Sequence, residues 1–230
     1  MTLLALYNFK EWRGIKKWIA KYIFNNTDII FVEGQNGKKD IEGLAQISDK
    51  IRMFTHWCDQ SVFKPDPKRP NDRIRVLFVG RDIPKKGRHI VQAAERILND
   101  PKFEFTYVTN AKHEDLPEIY RRSHILVIPS KYSEGHTRTL VEGALCGCEL
   151  VTSKFGSLPE QVEGIGQAID MTPENLKDYL CRLVYKHDLE IRSVDGASNC
   201  AGWVEAQNRF STRNSEVFLK EYDNAISDRS

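Results

Sequence analysis

Short apolar runs rich in β-branched and aromatic residues punctuate the chain at LLALY, DIIFVE, IRMFT, RIRVLFVG, FEFTYVT, HILVIPS and ELVTS. Runs of this length without polar alternation read as strands buried on both faces. Between them, and after the last, apolar positions recur at helical spacing over residues 10–24, 86–98, 116–122, 137–146 and 174–185. Strand and helix in alternation predict an α/β fold, a Rossmann-like doubly wound parallel sheet. The segment KPDPKRPNDR, residues 64–73, follows neither period, and its prolines and charges mark a linker. The expected division is an N-terminal part over 1–66, a main α/β domain over 67–209 and a C-terminal helix over 210–230 packing back toward the N-terminal part. Ser211 or Thr212 is the candidate N-cap of that helix, ahead of Val217, Phe218, Tyr222 and Ile226.

The stretch SEGHTRTLVEGALCG, residues 133–147, follows the strand HILVIPS. Thr137 can cap a helix that begins at Arg138, with Leu140, Val141, Ala144 and Leu145 as its apolar stripe. Glu142 then falls on the opposite side, one turn after Arg138. A cation in the first turn opposes the partial positive charge of the helix start, and base before acid is the weaker i, i+4 order. Two readings follow. One is a solvated surface pair contributing a few tenths of a kcal/mol. The other is a ligand site, in which a phosphate meets the helix N-terminus and Glu142 accepts hydrogen bonds from hydroxyls such as those of a ribose. Glu134 lies in the loop at the strand end, where open α/β sheets bind ligands, and this favours the second reading.

A second strand-end loop, VGRDIPKKG, carries Gly80, Arg81, Lys85, Lys86 and Gly87. Its cations suit a diphosphate, and its glycines let backbone approach a ligand closely. It matches neither G-x-G-x-x-G nor G-x-x-x-x-G-K-[ST], so dinucleotide and P-loop readings lose support. Alone, the loop would read as a basic solvated turn; a second strand-end loop of this kind tips the reading toward a site.

Composition adds limits. With 40% hydrophobic and 29% charged residues and a net charge of +2, the 230-residue chain is of ordinary globular type and gives no pointer to nucleic acid. Its five cysteines form no CxxC, which argues against a disulfide framework or zinc knuckle and fits a cytoplasmic setting. No apolar run approaches the roughly 18 residues of a membrane span.

In chain order, FVGRDIPKKG, LPEIYRRSHILVIPS, SEGHTRTLVEGALCG, FGSLPEQVEG and FST…EYDNAI resemble the donor half of a family-four glycosyltransferase, a retaining enzyme of the GT-B fold. The most specific piece is the E-x7-E pair, Glu134 to Glu142, preceded by PS and followed by A-x-x-G. The resemblance implies hexosyl transfer, with retention, from a UDP- or GDP-linked nucleotide sugar to a glycan, lipid or protein acceptor. It implies no metal, because cations and a helix N-terminus can offset the leaving diphosphate. By it, Arg81 and Lys86 bind the diphosphate and join Glu134, which faces the transferred sugar, as catalytic candidates. Glu142 binds the ribose, and the N–H groups of Arg138 and Thr139 meet the distal phosphate. Gly80, Gly135, His136 and Thr137 complete the binding set.

The sequence departs from the family in three places. The resemblance implies an acceptor domain of which residues 1–66 would be only a remnant, with Tyr7 and Asn8 where the family has a histidine, and hence an acceptor-domain partner chain as an alternative to a self-sufficient enzyme. FEFTYVTNAKHEDLPEIY passes almost directly from strand to helix where the family inserts a further strand and helix, which leaves Thr109 to Lys112 as the guess for the base pocket. EGHT replaces the commoner EGFG or EGFP, so His136 either hydrogen-bonds a sugar hydroxyl or packs in place of the aromatic, packing being favoured.

Three lesser features remain. In KEWRGIKKWIAKYIF, Trp12, Ile15, Ile19, Tyr22 and Ile23 share one face, and Lys10, Arg13, Lys17 and Lys21 the other. This pattern suits peripheral contact with an anionic membrane; the favoured reading is a helix whose apolar stripe covers the N-terminal sheet. Cys146 and Cys148 read as packing residues, and His56 as structural.

Overall fold

The computed structural model of the chain describes residues 12–32, 34–43, 47–53, 55–66, 68–70, 72–132, 137–190, 201–210 and 213–227. The expected strand LLALY, Tyr7, Asn8 and the candidate caps Ser211 and Thr212 lie outside them.

Five apolar segments pair into one parallel sheet: β3 Ile74–Val79, β4 Phe103–Val108, β5 Ile125–Ile128, β6 Glu149–Ser153 and β7 Gly166–Ile169, in the order β4-β3-β5-β6-β7. Side chains alternate across it. Val76 and Phe78 face one core with Val91 and Ala94 of α3 (Arg88–Leu98) and Leu176 and Leu180 of α7 (Pro173–Glu190). Leu77 and Leu126 face the other. That core takes in Tyr120 of α4 (Leu116–Arg121), Leu140, Val141 and Leu145 of α5 (Arg138–Leu145), Leu158 and Val162 of α6 (Leu158–Val162) and Ala206 of α8 (Ala201–Arg209). Helices on both faces explain why the strands read as continuous apolar runs. β7 was not expected, because GQAI has little apolar character. Gly166 fits there because a Cβ would stand 2.5 Å from the Leu150 carbonyl oxygen on the neighbouring strand.

Chain order reverses between β3 and β5: β4 lies on one side and the later strands on the other. Ligands of open α/β sheets bind at such a switch point, beyond the carboxyl ends of the strands. Here those ends lead into VGRDIPKKG and PSKYSEGHT.

A smaller parallel sheet pairs β1 (Ile30–Val32) with β2 (Ile51–Met53). Around it lie α1 (Ile15–Asn25) and α2 (Gly34–Glu42), the latter unforeseen because GQNGKKDIE offers one apolar residue, Ile41, and hence no stripe. The expectation for α1 is corrected. Ala20 and Phe24 face the sheet, while Ile15, Trp18 and Tyr22 are 73%, 66% and 60% exposed. Two strands of three residues offer a narrow surface, and Phe24 with Ala20 covers it. Trp18 and Tyr22 stack on each other outside, ring centroids 5.9 Å apart.

The two sheets are tied at several points. Cys58 and Phe63, ahead of the expected boundary at 66, pack into the larger core. The Arg69 guanidinium donates to the carbonyls of Arg121 at 2.8 Å, Gly147 at 2.9 Å and Cys146 at 2.5 Å, gathering the C-terminal ends of α4 and α5. Gln35 N–H donates to the Glu160 carboxylate at 3.0 Å. The C-terminal helix α9 (Arg213–Ser227) lays Phe218 against Phe31, centroids 4.4 Å apart, and Glu221 pairs with Arg52 at 2.9 Å. Among the described residues, no helix is long and apolar enough to cross a membrane.

Candidate functional site

After β3, Gly80 N–H still bonds to Val108 of β4, and the chain then turns through a 3-10 turn, Pro84–Lys86, closed by Gly87. Gly87 is left-handed, φ 76°, and a Cβ there would stand 2.1 Å from the Pro129 carbonyl oxygen of the loop after β5. The two strand-end loops therefore touch at a position only glycine can occupy. Lys131 N–H donates to the Lys85 carbonyl at 2.8 Å and joins them again. Above this junction the Lys85 and Lys86 ammonium groups stand 5.4 and 5.8 Å from the Tyr132 ring centroid. Cation–π attraction thus gathers two positive charges over the β5 loop. Arg81 is exposed, and Asp82 pairs with Arg88 at 2.9 Å. Val79, Lys86, Pro129, Ser130, Thr137 and Thr139 line a small, partly open pocket between the loops.

Thr137 precedes the first turn of α5, and its N–H donates to the buried Gln161 Oε1 at 2.9 Å. Gln161 in turn donates to Ser157 Oγ, so α6 fixes the start of α5. The next N–H groups, of Arg138 and Thr139, open α5, where the first N–H groups of a helix have no carbonyl a turn earlier to bond; Leu140 N–H already reaches back to the Thr137 carbonyl at 3.0 Å. Glu134, Gly135 and His136 lie outside the described residues.

The placement of Glu142 counts against the solvated surface pair. It is 2% exposed and is not on a solvated face: Tyr120 of α4 and His113 of the turn after β4 cover it. Tyr120 Oη donates to Glu142 Oε2 at 2.9 Å, and His113 Nε2 stands 3.2 Å from Glu142 Oε1. The Thr139 hydroxyl bonds to Tyr120 as well. Burial, and then the adjacent Glu142 charge, push the Tyr120 phenol far above its ordinary range, so it stays a donor. Arg138 Nη2 stands 3.9 Å from Glu142 Oε1 and 3.2 Å from His113 Nε2. The pair is an exposed cation reaching to a buried acid, which does not fit the less favoured reading of a solvated surface pair.

His113 follows directly on Thr109 to Lys112, the residues predicted for the base pocket from their place after the strand. Tyr120 lies inside LPEIYRRSHILVIPS, and nothing in that stretch singles it out for the site. Tyr132 carried no periodic signal. Cys58, Cys146 and Cys148 are buried free thiols. Burial first, then the Glu142 charge, pushes Cys58 up to about 11, and burial pushes Cys148 up to about 11. Cys148 lies against the carbonyls of Tyr120 and Ser123.

The sheet order and the strand-end site define a doubly wound α/β domain of the kind found in GT-B glycosyltransferases. The chain belongs to the glycosyl transferases group 1 family, which it matches over residues 43–185, more than half its length. MMP alpha-(1->4)-mannosyltransferase of Mycolicibacterium hassiacum is 22% identical over 199 residues, 74% of this chain and 47% of that protein. Sucrose-phosphate synthase from Thermosynechococcus elongatus superposes with a TM-score of 0.75 at 17% identity, over 98% of this chain and 65% of that one. Anabaena Alr3699/HepE in complex with UDP gives 0.75 at 15% identity, over 96% of this chain and 71% of that one, and the same protein is solved with UDP-glucose. The chain thus spans about half the length of the mannosyltransferase relative. These matches bear out the family-four resemblance and the doubly wound parallel sheet.

Proposed function

We propose that the chain is the donor-binding part of a retaining glycosyltransferase that takes a hexosyl unit from a UDP- or GDP-linked sugar. The observation that carries this reading is the convergence at the switch point. A basic loop after β3 and the N-terminus of α5 after β5 meet around one pocket, lined by Lys86, Thr137 and Thr139, and about one turn further along α5 lies the buried carboxylate Glu142, bonded to Tyr120. Arg81 and Lys86 offset the diphosphate charge as the sugar leaves. The Arg138 and Thr139 N–H groups bind its distal phosphate, Glu142 holds the ribose and Glu134 orients the sugar. Protein cations and helix dipole do this without a metal. The UDP and UDP-glucose complexes of the HepE neighbour support a nucleotide-sugar ligand.

Calorimetric titration of UDP-glucose and GDP-mannose against wild type, Glu142→Ala and Arg81→Ala tests the assignment. Either substitution is expected to weaken the preferred donor by about tenfold or more, as loss of one charged hydrogen bond or ion contact would. Unchanged binding in both variants would sink the assigned site.

The exposed stripe of α1 favours a second reading, a donor-binding subunit that needs a separate acceptor-domain chain: Ile15, Trp18 and Tyr22 form the kind of apolar face a partner covers. Donor binding without sugar transfer or donor hydrolysis would support it. Vesicles of acidic lipid serve as the control, since Arg13, Lys16, Lys17 and Lys21 around the same helix would also suit an anionic surface.

A further inference from the structure

His113 stands at the meeting point of two incompatible demands. Its Nε2 lies 3.2 Å from Glu142 Oε1 and 3.2 Å from Arg138 Nη2. One imidazole nitrogen either donates its N–H or accepts through its lone pair, never both. As donor it serves the carboxylate and turns an N–H toward the guanidinium; as acceptor it serves the guanidinium and turns a lone pair toward the carboxylate. Tyr120 takes the other oxygen, Oε2, and stays a donor. Among these groups, therefore, the Oε1 side of the cluster lacks a partner that donates and accepts at once. A hydroxyl group is such a partner: its O–H can point to Glu142 Oε1 while its oxygen accepts from His113 or Arg138.

The imidazole is placed for this role. Phe63 meets it edge-on, centroids 5.6 Å apart, and Phe63 itself is buried in the larger core. The ring is held from below, yet 56% of the His113 side chain is exposed, so it opens to a ligand above. It follows the carboxyl end of β4, beside the switch point.

We propose that His113 is a ribose-binding residue, reading with Glu142 the two adjacent hydroxyls of the donor nucleotide, so that the site selects ribonucleotides over deoxyribonucleotides. The proposal rests on the nucleotide-sugar reading above. One hydroxyl donates to Glu142 Oε1, and its neighbour bonds to His113 Nε2. A nucleotide lacking one of them leaves a side chain unmatched, and sites built to bond a hydroxyl reject analogues without it.

The test is the ratio of dissociation constants for UDP and 2′-deoxy-UDP, and for UDP and 3′-deoxy-UDP, with GDP and its deoxy analogues run in parallel. It is measured by calorimetry on wild type, His113→Ala and His113→Gln. Wild type is expected to favour the ribonucleotide by about 10- to 100-fold, the factor for a hydrogen bond to a charged or strongly polar partner. His113→Ala should cut the ratio for one analogue by about tenfold, and His113→Gln, which keeps a donor and an acceptor, should restore most of it. If His113→Ala weakens ribo and deoxyribo forms equally, His113 only supports the fold nearby and the proposal falls alone. If wild type binds neither UDP nor GDP, the proposal falls together with the nucleotide-sugar reading.

Discussion

Replacing Gly87 by alanine separates two costs that usually come mixed. Gly87 and Gly164 have nearly the same left-handed backbone, φ 76° and 79°. At Gly164 a Cβ would meet its nearest atoms, Arg209 Nη2 and Glu205 Cγ, at 3.8 Å, an ordinary contact. At Gly87 it would stand 2.1 Å from the Pro129 carbonyl oxygen and 3.0 Å from the Pro129 carbonyl carbon, both backbone atoms. Gly164→Ala should therefore cost only the left-handed penalty, about 1 kcal/mol. Gly87→Ala carries the same penalty and must also push the β5 loop back by roughly an ångström, which raises its cost to about 2–4 kcal/mol. Urea unfolding followed by circular dichroism gives both values, with an unchanged slope on denaturant as the check that the midpoints are comparable. The displaced loop leads into the first turn of α5, so the preferred nucleotide should also bind less tightly to Gly87→Ala and equally well to Gly164→Ala. Equal destabilisation by the two substitutions would refute the steric reasoning, since both share the strained backbone and only one has the clash.

Arg69→Ala removes a guanidinium from three carbonyls at once and should destabilise the larger unit by about 3 kcal/mol; Arg69→Lys should recover less than half of this, because an ammonium lacks the planar fork. A lysine variant as stable as wild type in thermal unfolding would show that charge alone matters there. Cys58 and Cys148 are held at about 11 against an ordinary 9.0, so the fold prefers the thiol. Their contribution is full below pH 9 and is lost as pH rises toward 11, because the unfolded chain ionises first. Urea midpoints from pH 8 to 11 should fall more steeply in wild type than in Cys58→Ala/Cys148→Ala, and parallel curves would count against this.

Patterning made the larger sheet readable because its strands are buried on both faces, and RIRVLFV or ELVTS announces that directly. It missed β7 and α2, where pairing to Leu150 and packing of a single Ile41 hold segments with almost no apolar signal. In the candidate site, the chemistry-bearing residues of each loop stood out because they violate local preference, as Arg138 does at a helix start. Their partners did not stand out. Tyr120 and His113 are unexceptional in sequence, and only the packing of α4 and of the turn before it against α5 makes them partners of Glu142. Helical periodicity put Glu142 opposite the stripe correctly, but a second layer can bury the opposite face, and a period carries no information about that layer.

The same layer ties the connecting segment to the site. A proline- and charge-rich stretch over 64–73 reads as the place where two units flex. Yet Cys58 and Phe63 ahead of it are buried in the larger core, Phe63 supports His113, and Arg69 within it holds the ends of α4 and α5. A pivot inside 64–73 would have to withdraw Phe63 from a packed core or break three carbonyl bonds to Arg69, each a cost of several kcal/mol. Bending ahead of Cys58, where Trp57 meets Phe218 of α9 at the seam between the sheets, disturbs neither. Any movement of the smaller sheet over the pocket therefore turns N-terminal to Cys58, and the segment that looked like a linker travels with Glu142 and His113.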